Sequence, residues 1–216
     1  MLSEAKVVIL DFGRVLGLFD IMKTCRGLAE FCDYSPEEIS SLLLGSHETR
    51  KTEMFEKLEK GLITPAEFYR TVILKLNAND LLYSEFYIIW GNIFSPSPEI
   101  ENLLARLRPH IFTLVLSNTD CIRWGFMRKL SVMRRFFAEP EQLILSFQVY
   151  ARKPDPKIYL EAVRRSGAKP KEIIYVDDVP EFVEAARNLG MTGILYNCAI
   201  DPIDVLEKEF SKYGVI

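Results

Sequence analysis

The stretch Val7-Val8-Ile9-Leu10-Asp11-Phe12-Gly13-Arg14-Val15-Leu16 decides how this chain folds. Its apolar run stops abruptly at a carboxylate, which a glycine follows two residues later. A short apolar run that ends at a turn signal is typical of a strand buried on both faces, as in a parallel sheet. Functional groups in such sheets collect just beyond the carboxyl ends of the strands, where Asp11 would lie. The alternative interpretation of Asp11 is an ordinary turn or helix-capping residue.

The overall composition is that of a mildly acidic globular chain. It has 216 residues and a net charge of -3, with a pI of about 5.6. This charge gives no basis for a nucleic acid or an anionic membrane as the main partner. The sequence has no apolar run near the roughly 20 residues of a membrane span and no CxxC pair among its four cysteines. We also expect no signal peptide. We therefore expect a cytoplasmic monomer or homodimer with reduced thiols.

Residues 17–96 have a pattern of their own. Their apolar residues recur at helical spacing, and β-rich runs are scarce. Ser35-Pro36-Glu37-Glu38 and Thr64-Pro65-Ala66-Glu67 each predict a helix start closed by a capping box. Ser95-Pro96-Ser97-Pro98 then interrupts the helical pattern. We predict a small helical bundle that is inserted into another domain.

From residue 97 onward, apolar runs alternate with helical patterns. The runs predict strands at 111–116, 143–146, 173–176 and 192–196. This alternation indicates βαβ units with a parallel sheet and right-handed crossovers. The predicted fold is therefore α/β, with a Rossmann-like parallel sheet core and helices on both faces. Residues 1–16 and 97–216 would form this core, and residues 17–96 an inserted helical-bundle cap.

Polar side chains follow four of the predicted strands, whose ends meet at one edge of a parallel sheet. These side chains are Asp11, Ser117, Asn118, Lys153, Asp177 and Asp178. The adjacent carboxylates of Asp177 and Asp178 repel each other unless a cation lies between them. Three carboxylates with no His or Cys nearby suit a hard, oxygen-binding ion, and Mg²⁺ is the usual one.

These residues lie in four motifs that resemble, in order, those of the haloacid dehalogenase superfamily, in its phosphatase branch with a helical cap. The motifs are Asp11-Phe12-Gly13-Arg14-Val15-Leu16, Leu116-Ser117-Asn118-Thr119, Arg152-Lys153-Pro154-Asp155-Pro156-Lys157-Ile158-Tyr159 and Val176-Asp177-Asp178-Val179-Pro180-Glu181. The resemblance covers nearly the full length. The first motif is similar to that of glucose-1-phosphate phosphatase-like members, which also reads Asp-x-Gly.

The resemblance implies a phosphatase that acts on a small phosphorylated metabolite, such as a sugar phosphate. Asp11 would be the nucleophile and would form an aspartyl-phosphate that water hydrolyses. Ser117 would hold the phosphoryl oxygens, and Asn118 would support that loop beside the substrate. Lys153 would lie against Asp11 and the transferring phosphoryl group as a compact charge.

The resemblance also implies how Mg²⁺ would be bound. Its ligands would be the carboxylates of Asp11, Asp178 and Asp177 and the backbone carbonyl of Gly13.

Arg14, the next residue, would point either at the substrate phosphate or at solvent. The polar cluster His47, Glu48, Arg50 and Lys51 would be either a solvated helix face or a specificity patch facing the site.

Gly13 departs from the family pattern. Most phosphatases of this family carry a second Asp at this position, which protonates the leaving oxygen, and losing such a group costs about 10²–10⁴-fold in rate. We therefore expect a substrate with a good leaving group, an acid supplied by the cap, or slow or absent turnover. The last case would leave a non-catalytic relative that binds a ligand or partner. A phosphomutase would need the missing Asp even more, and a dehalogenase would not need the acidic pair.

Overall fold

The computed structural model of the protein describes residues 5–47 and 50–216, and within them the chain forms nine strands and twelve α-helices. The strands are β1 (Val7–Leu10), β2 (Gly17–Phe19), β3 (Gly45–His47), β4 (Arg50–Lys51), β5 (Phe94–Pro96), β6 (Phe112–Ser117), β7 (Leu143–Leu145), β8 (Ile173–Asp177) and β9 (Thr192–Leu195). The helices are α1 (Ile21–Ala29), α2 (Pro36–Leu43), α3 (Glu53–Glu59), α4 (Pro65–Leu76), α5 (Tyr83–Gly91), α6 (Pro98–Leu104), α7 (Cys121–Met127), α8 (Ser131–Phe136), α9 (Ser146–Val149), α10 (Pro156–Ser166), α11 (Pro180–Asn188) and α12 (Ile203–Lys212).

A five-stranded parallel sheet, in the order β7-β6-β1-β8-β9, forms the centre of the molecule. The strand β1 lies in the middle, where Leu10 aligns with Val115 of β6 and with Val176 of β8. All four residues of β1 are buried, as its continuous apolar run predicts. Because the strands are parallel, the segments after β1, β6 and β8 meet at one edge of the sheet.

Helices cover both faces of this sheet. Val8 and Leu10 belong to an apolar cluster with residues of α6, α8 and α12, whereas Val7 and Ile9 belong to a second cluster with residues of α10 and α11. Successive side chains of a strand point to opposite faces, so this division follows directly from the pleat. The predicted α/β fold, with a Rossmann-like parallel sheet and helices on both faces, is confirmed.

Residues 17–96, for which we keep the name helical insert, contain α1 to α5 around a third apolar cluster. The large side chains of Phe68, Phe86 and Trp90 are completely buried in it. Both predicted capping boxes are present, because Ser35 and Thr64 each exchange hydrogen bonds with the glutamate three residues later. Helix α5 packs against α7, which connects the insert with the sheet region.

The insert begins and ends in a short antiparallel ribbon that the sequence did not predict. Strand β2 pairs with β5, so that Gly17 lies opposite Pro96 and Phe19 opposite Phe94. Helix α5 ends at Gly91 because Asn92 leaves the helical conformation, and the chain then turns into β5. The two ends of the insert therefore lie side by side above the edge of the sheet.

Several smaller expectations concern the rest of the chain. All four cysteines are free. Among the helices in the described part of the chain, none has the length and apolar character needed to cross a bilayer. In the polar cluster at 47–51, Glu48 lies outside the described residues, and Lys51 packs its ammonium group 5.5 Å from the centre of the Phe55 ring.

Candidate active site

Asp11, Lys153 and Asp177 form a buried charge network at the carboxyl edge of the sheet. Asp11 directly follows β1, and Asp177 is the last residue of β8. Lys153 lies between them, with Nζ 2.5 Å from Asp11 Oδ1 and 2.6 Å from Asp177 Oδ2. Burial alone would lower the pKa of Lys153, but the two carboxylates raise it above its ordinary value. The lysine therefore stays charged although it is only 1% exposed.

The Asp177 carboxylate accepts hydrogen bonds on both of its oxygens. In addition to the Lys153 ammonium group, Oδ2 accepts a hydrogen bond from the Tyr175 hydroxyl, and Oδ1 accepts one from the backbone N–H of Val179 at 2.9 Å. The side chain is completely buried. These three donors fix the carboxylate, which in turn fixes the position of Lys153 against Asp11.

Asp178 and Arg14 meet at the rim of the site. Arg14 Nη1 lies 3.3 Å from Asp178 Oδ2, and the guanidinium carbon lies 4.8 Å from the centre of the Phe19 ring. The Arg14 side chain is 36% exposed, so one part of it faces solvent and another part contacts the acidic pair. Its backbone adopts a left-handed conformation, with φ of 56°.

Ser117 ends β6, and Asn118 joins its loop to the loop that carries Lys153. The backbone N–H of Lys153 donates to Asn118 Oδ1 at 2.8 Å, and Asn118 Nδ2 donates to the Lys153 carbonyl at 3.1 Å. Ser146, which the sequence analysis did not single out, also stabilises the loop after β6. Its hydroxyl accepts a hydrogen bond from the Thr119 N–H and donates one to the Thr119 carbonyl, each at 2.9 Å. No sequence signal separates Ser146 from an ordinary helix-start serine.

The three carboxylates are close enough to share a cation. Oxygens of Asp11, Asp177 and Asp178 all lie within 4.8 Å of one another. Burial, opposed by Lys153 and reinforced by the two neighbouring carboxylates, raises the pKa of Asp11 to about 8. Burial and the charge of Asp177 raise the pKa of Asp178 to about 6. Lys153 and Arg14 compensate only two of the three negative charges, so this oxygen-only donor set fits a hard divalent cation.

Phe19 occupies the space beside Gly13. A Cβ atom at position 13 would lie 2.9 Å from Cε1 of the Phe19 ring and 3.6 Å from Asp11 Oδ2. Phe19 belongs to β2 of the helical insert, so the insert approaches the nucleophile candidate directly. Any side chain at position 13 would require this ring to move.

A cavity of about 80 Å³ collects all eight predicted site residues, Asp11, Gly13, Arg14, Ser117, Asn118, Lys153, Asp177 and Asp178. It also has walls beyond these eight residues, and one wall residue, Lys51, belongs to the polar cluster for which a specificity patch facing the site was one interpretation. The helical insert contributes Phe19, Ile21, Lys51, Phe55, Glu59, Ile93 and Phe94, and α7 contributes Arg123 and Met127. These residues come from different elements, and only the packing of the insert on the sheet brings them together.

Besides Lys51, two of these wall residues carry charges. Glu59 is 3% exposed and lies 3.0 Å from Arg152 Nε, so its carboxylate is paired. Arg123 is 7% exposed, and its Nε lies 3.7 Å from Asp120 Oδ2. Neither residue stands in one of the four motifs, and single buried charges within helical patterns look like ordinary surface positions in a sequence.

Residues 26–196 match the model of the haloacid dehalogenase-like hydrolase family, and the chain therefore belongs to this family of hydrolytic enzymes. Several curated relatives of the chain carry phosphatase names. The chain is 33% identical to a glyceraldehyde 3-phosphate phosphatase of Methanopyrus kandleri over 46% of its own length, and it spans only 42% of the length of that relative. It is 25% identical to a D-ribitol-5-phosphate phosphatase of Bacteroides thetaiotaomicron over 86% of its length and 88% of that relative.

The fold also matches solved structures of this family. A haloacid dehalogenase family enzyme from Bacteroides thetaiotaomicron, in complex with magnesium and inorganic phosphate, superposes with a TM-score of 0.77 at 24% identity. The superposition covers 93% of this chain and 98% of that one. At this identity, the likeness shows that the two proteins share one fold.

Proposed function

We propose that this chain is a Mg²⁺-dependent phosphatase that hydrolyses a small phosphorylated metabolite, such as a sugar phosphate, through an aspartyl-phosphate intermediate. The observation that carries the proposal is the buried contact of 2.5 Å between Lys153 Nζ and Asp11 Oδ1 beside three clustered carboxylates. The phosphatase names of two relatives and the magnesium and phosphate bound by the similar solved structure support the same chemistry.

In this proposal Asp11 carries the covalent chemistry. Its carboxylate attacks phosphorus, the bond from phosphorus to the leaving oxygen breaks, and water then cleaves the acyl phosphate to restore the carboxylate. Lys153 offsets the charge of the phosphoryl oxygens, and Ser117 hydrogen-bonds to them at the end of β6. Asn118 holds the loop that carries Lys153 against the end of β6 through two hydrogen bonds. Arg14, at the rim, is assigned to the substrate phosphate.

Mg²⁺, when bound, neutralises the charge of the phosphate and aligns it for in-line attack. The carboxylates of Asp11 and Asp178 and the carbonyl of Gly13 would hold it. Asp177 belongs to the same cluster, but its two oxygens already accept three hydrogen bonds. We therefore assign Asp177 to positioning Lys153.

The missing acid at position 13 favours substrates with good leaving groups. Glu59 is the one carboxyl that the described part of the insert adds to the cavity. Its carboxylate is already paired with the Arg152 guanidinium at 3.0 Å, so we do not assign it the role of the missing acid. An anomeric or acyl phosphate needs little protonation of its leaving oxygen, so the proposed site suits these substrates best.

The direct test compares phosphate release by wild type and by Asp11→Asn in the presence of Mg²⁺. The substrates are acetyl phosphate, sugar 1-phosphates and ordinary alkyl monophosphates. We expect wild type to act mainly on the first two, and Asp11→Asn to lose at least about 10³-fold in rate because the nucleophile is gone. Asp33→Asn, the same change at an exposed position, is the control. Equal turnover by Asp11→Asn would exclude the proposed intermediate, and no release by wild type would favour a non-catalytic relative.

A further inference from the structure

Arg123 is a buried cation in the wall of the cavity that has no evident role in phosphoryl transfer. It lies in α7, six residues after Ser117, and lines the same cavity as Asp11 and Lys153. The residue is more than nine-tenths buried. Arginine stays charged under all ordinary conditions, so this charge remains in the cavity wall.

The Arg123 guanidinium is held by aromatic rings rather than by hydrogen bonds. Its central carbon lies 4.5 Å from the centre of the Trp90 ring and 5.0 Å from that of Phe55. Both rings belong to the helical insert, and Trp90 is itself fixed by a hydrogen bond of 3.0 Å to Asp120 Oδ2. Such stacking orients the planar cation without using its N–H donors.

Two of the three guanidinium nitrogens of Arg123 have unmet donors within the described part of the chain. Nε and Nη2 are fully buried and have no hydrogen-bond partner there. Asp120 compensates part of the charge, but its Oδ2 is 3.7 Å from Nε, which is beyond hydrogen-bond distance. The other oxygen, Oδ1, already accepts from the backbone N–H groups of Ile122 and Arg123. Unsatisfied buried donors on a charged group lower the stability of the folded protein. We therefore expect the Arg123 donors to form hydrogen bonds with an acceptor group of a bound ligand.

The charges along the cavity are arranged unevenly. Its floor holds the three carboxylates with Lys153, which the proposed function assigns to the cation and the transferring phosphoryl group. The lining that comes from α7 and the helical insert includes Arg123, and Glu59 there is paired with Arg152. The part of a substrate that is not transferred therefore shares the cavity with the positive charge of Arg123.

We propose that Arg123 binds a second oxyanion, a carboxylate or a second phosphate, on the non-transferred part of the substrate. This inference rests on the proposed phosphatase function and narrows its substrate class to phosphorylated metabolites with two anionic groups. The planar fork of arginine matches the oxygens of either group, and the cavity of about 80 Å³ places that group close to the phosphoryl site. Arg123 is thus a specificity residue, and the oxyanion accepts the hydrogen bonds for which the protein itself provides no acceptor.

The test measures inhibition of acetyl phosphate hydrolysis by three competitors with one carbon skeleton. Glycerol 3-phosphate has no second oxyanion, 3-phosphoglycerate adds a carboxylate, and glycerol 1,3-bisphosphate adds a phosphate. We expect one of the two competitors that carry a second oxyanion group to bind wild type at least about tenfold more tightly than glycerol 3-phosphate. The better of the two identifies the oxyanion.

The variants show whether Arg123 causes this preference. Arg123→Met keeps an unbranched side chain between the rings but removes the donors, and we expect the ratio of inhibition constants to fall to about one. Arg123→Lys keeps the charge without the fork and should retain part of the ratio, which also covers the case that the Met variant does not fold. Arg128→Met, an exposed arginine just after α7, is the matched control and should keep the wild-type ratio.

Two results would overturn the inference. One is a wild type that binds all three competitors equally. The other is an undiminished wild-type ratio of inhibition constants in Arg123→Met, or in Arg123→Lys if the Met variant does not fold. Failure of the proposed function looks different, because wild type would then not hydrolyse acetyl phosphate at all. In that case, the same three compounds are compared by thermal shift with Mg²⁺, and a preference that depends on Arg123 would still uphold the binding site.

Discussion

Position 13 is where a single residue changes what the site can do. The proposed nucleophile Asp11 has no carboxyl two residues later, and the space for one is filled by the Phe19 ring. From the sequence alone, Gly13→Asp is expected to restore an acid and to raise the rate on poor leaving groups. The structure adds that a Cβ at this position meets Phe19 Cε1 at 2.9 Å, so the new side chain cannot enter without displacing the ring.

We predict that Gly13→Asp alone gives no gain on alkyl phosphates, whereas Gly13→Asp combined with Phe19→Ala raises kcat by about 10-fold or more. The smaller side chain at position 19 frees the space that the carboxyl needs near the leaving oxygen. Phosphate release from glycerol 3-phosphate measures the effect, with Phe19→Ala alone as the control. A gain in the Gly13→Asp single variant would show that Phe19 is not an obstacle, and no gain in the double variant would mean that an acid is not limiting.

At the scale of single elements, local signals predicted most of the sheet and many helix starts. The apolar run before Asp11 predicted a buried central strand, and Ser35 and Thr64 predicted capping boxes, because these features depend on neighbours within a few residues. The β2–β5 ribbon depends instead on pairing between segments about 75 residues apart, with only three residues in each strand. Such short segments carry no periodicity that a sequence pattern can reveal.

The candidate site likewise has one part that the sequence predicts and another part that only the structure reveals. Its floor was predictable because parallel strand ends must meet at one edge, which brings Asp11, Lys153 and Asp178 together from distant parts of the chain. Its walls were not predictable, since Arg123 and Glu59 reach the cavity only through the packing of the insert against α7. The role of Asp177 also needed the structure, because the hydrogen bond from Tyr175 is not visible in the motif.

Asn118 links two elements of the site, and its removal tests how much catalysis depends on that link. Its side chain makes two hydrogen bonds to the Lys153 backbone, at 2.8 and 3.1 Å. We predict that Asn118→Ala lowers kcat by about 10²-fold because Lys153 shifts from Asp11, and lowers the free energy of unfolding by about 1–3 kcal/mol. Steady-state kinetics and urea denaturation measure the two effects.

The control for this prediction is Asn79→Ala, an exposed asparagine in the helical insert, which should change neither quantity appreciably. A loss of stability in Asn118→Ala with kcat within about twofold of wild type would contradict the prediction. The contact would then stabilise the loop without positioning Lys153.

For the whole molecule, the cluster of carboxylates makes stability depend on pH and on the cation. The pKa of Asp11 is raised to about 8 and that of Asp178 to about 6, from a value near 3.8 in the unfolded chain. Between these values the folded protein binds more protons than the unfolded one. The free energy of unfolding therefore falls as pH rises from about 4 to 8, because folding then buries ionised carboxylates whose charges Lys153 and Arg14 compensate only in part.

A bound divalent cation removes this penalty, so the stabilisation by Mg²⁺ should grow as pH rises. At a concentration about 100-fold above its dissociation constant, Mg²⁺ adds about 2.7 kcal/mol, which corresponds to about 5–10 °C in Tm for a chain of this size. We predict a gain of this order at pH 8 and a much smaller gain at pH 5, where protons compete for the same oxygens. Differential scanning fluorimetry with Mg²⁺ or with EDTA at each pH measures it. Asp178→Asn should abolish the gain, so a gain that is equal at both pH values, or that persists in this variant, would show that the cation binds elsewhere.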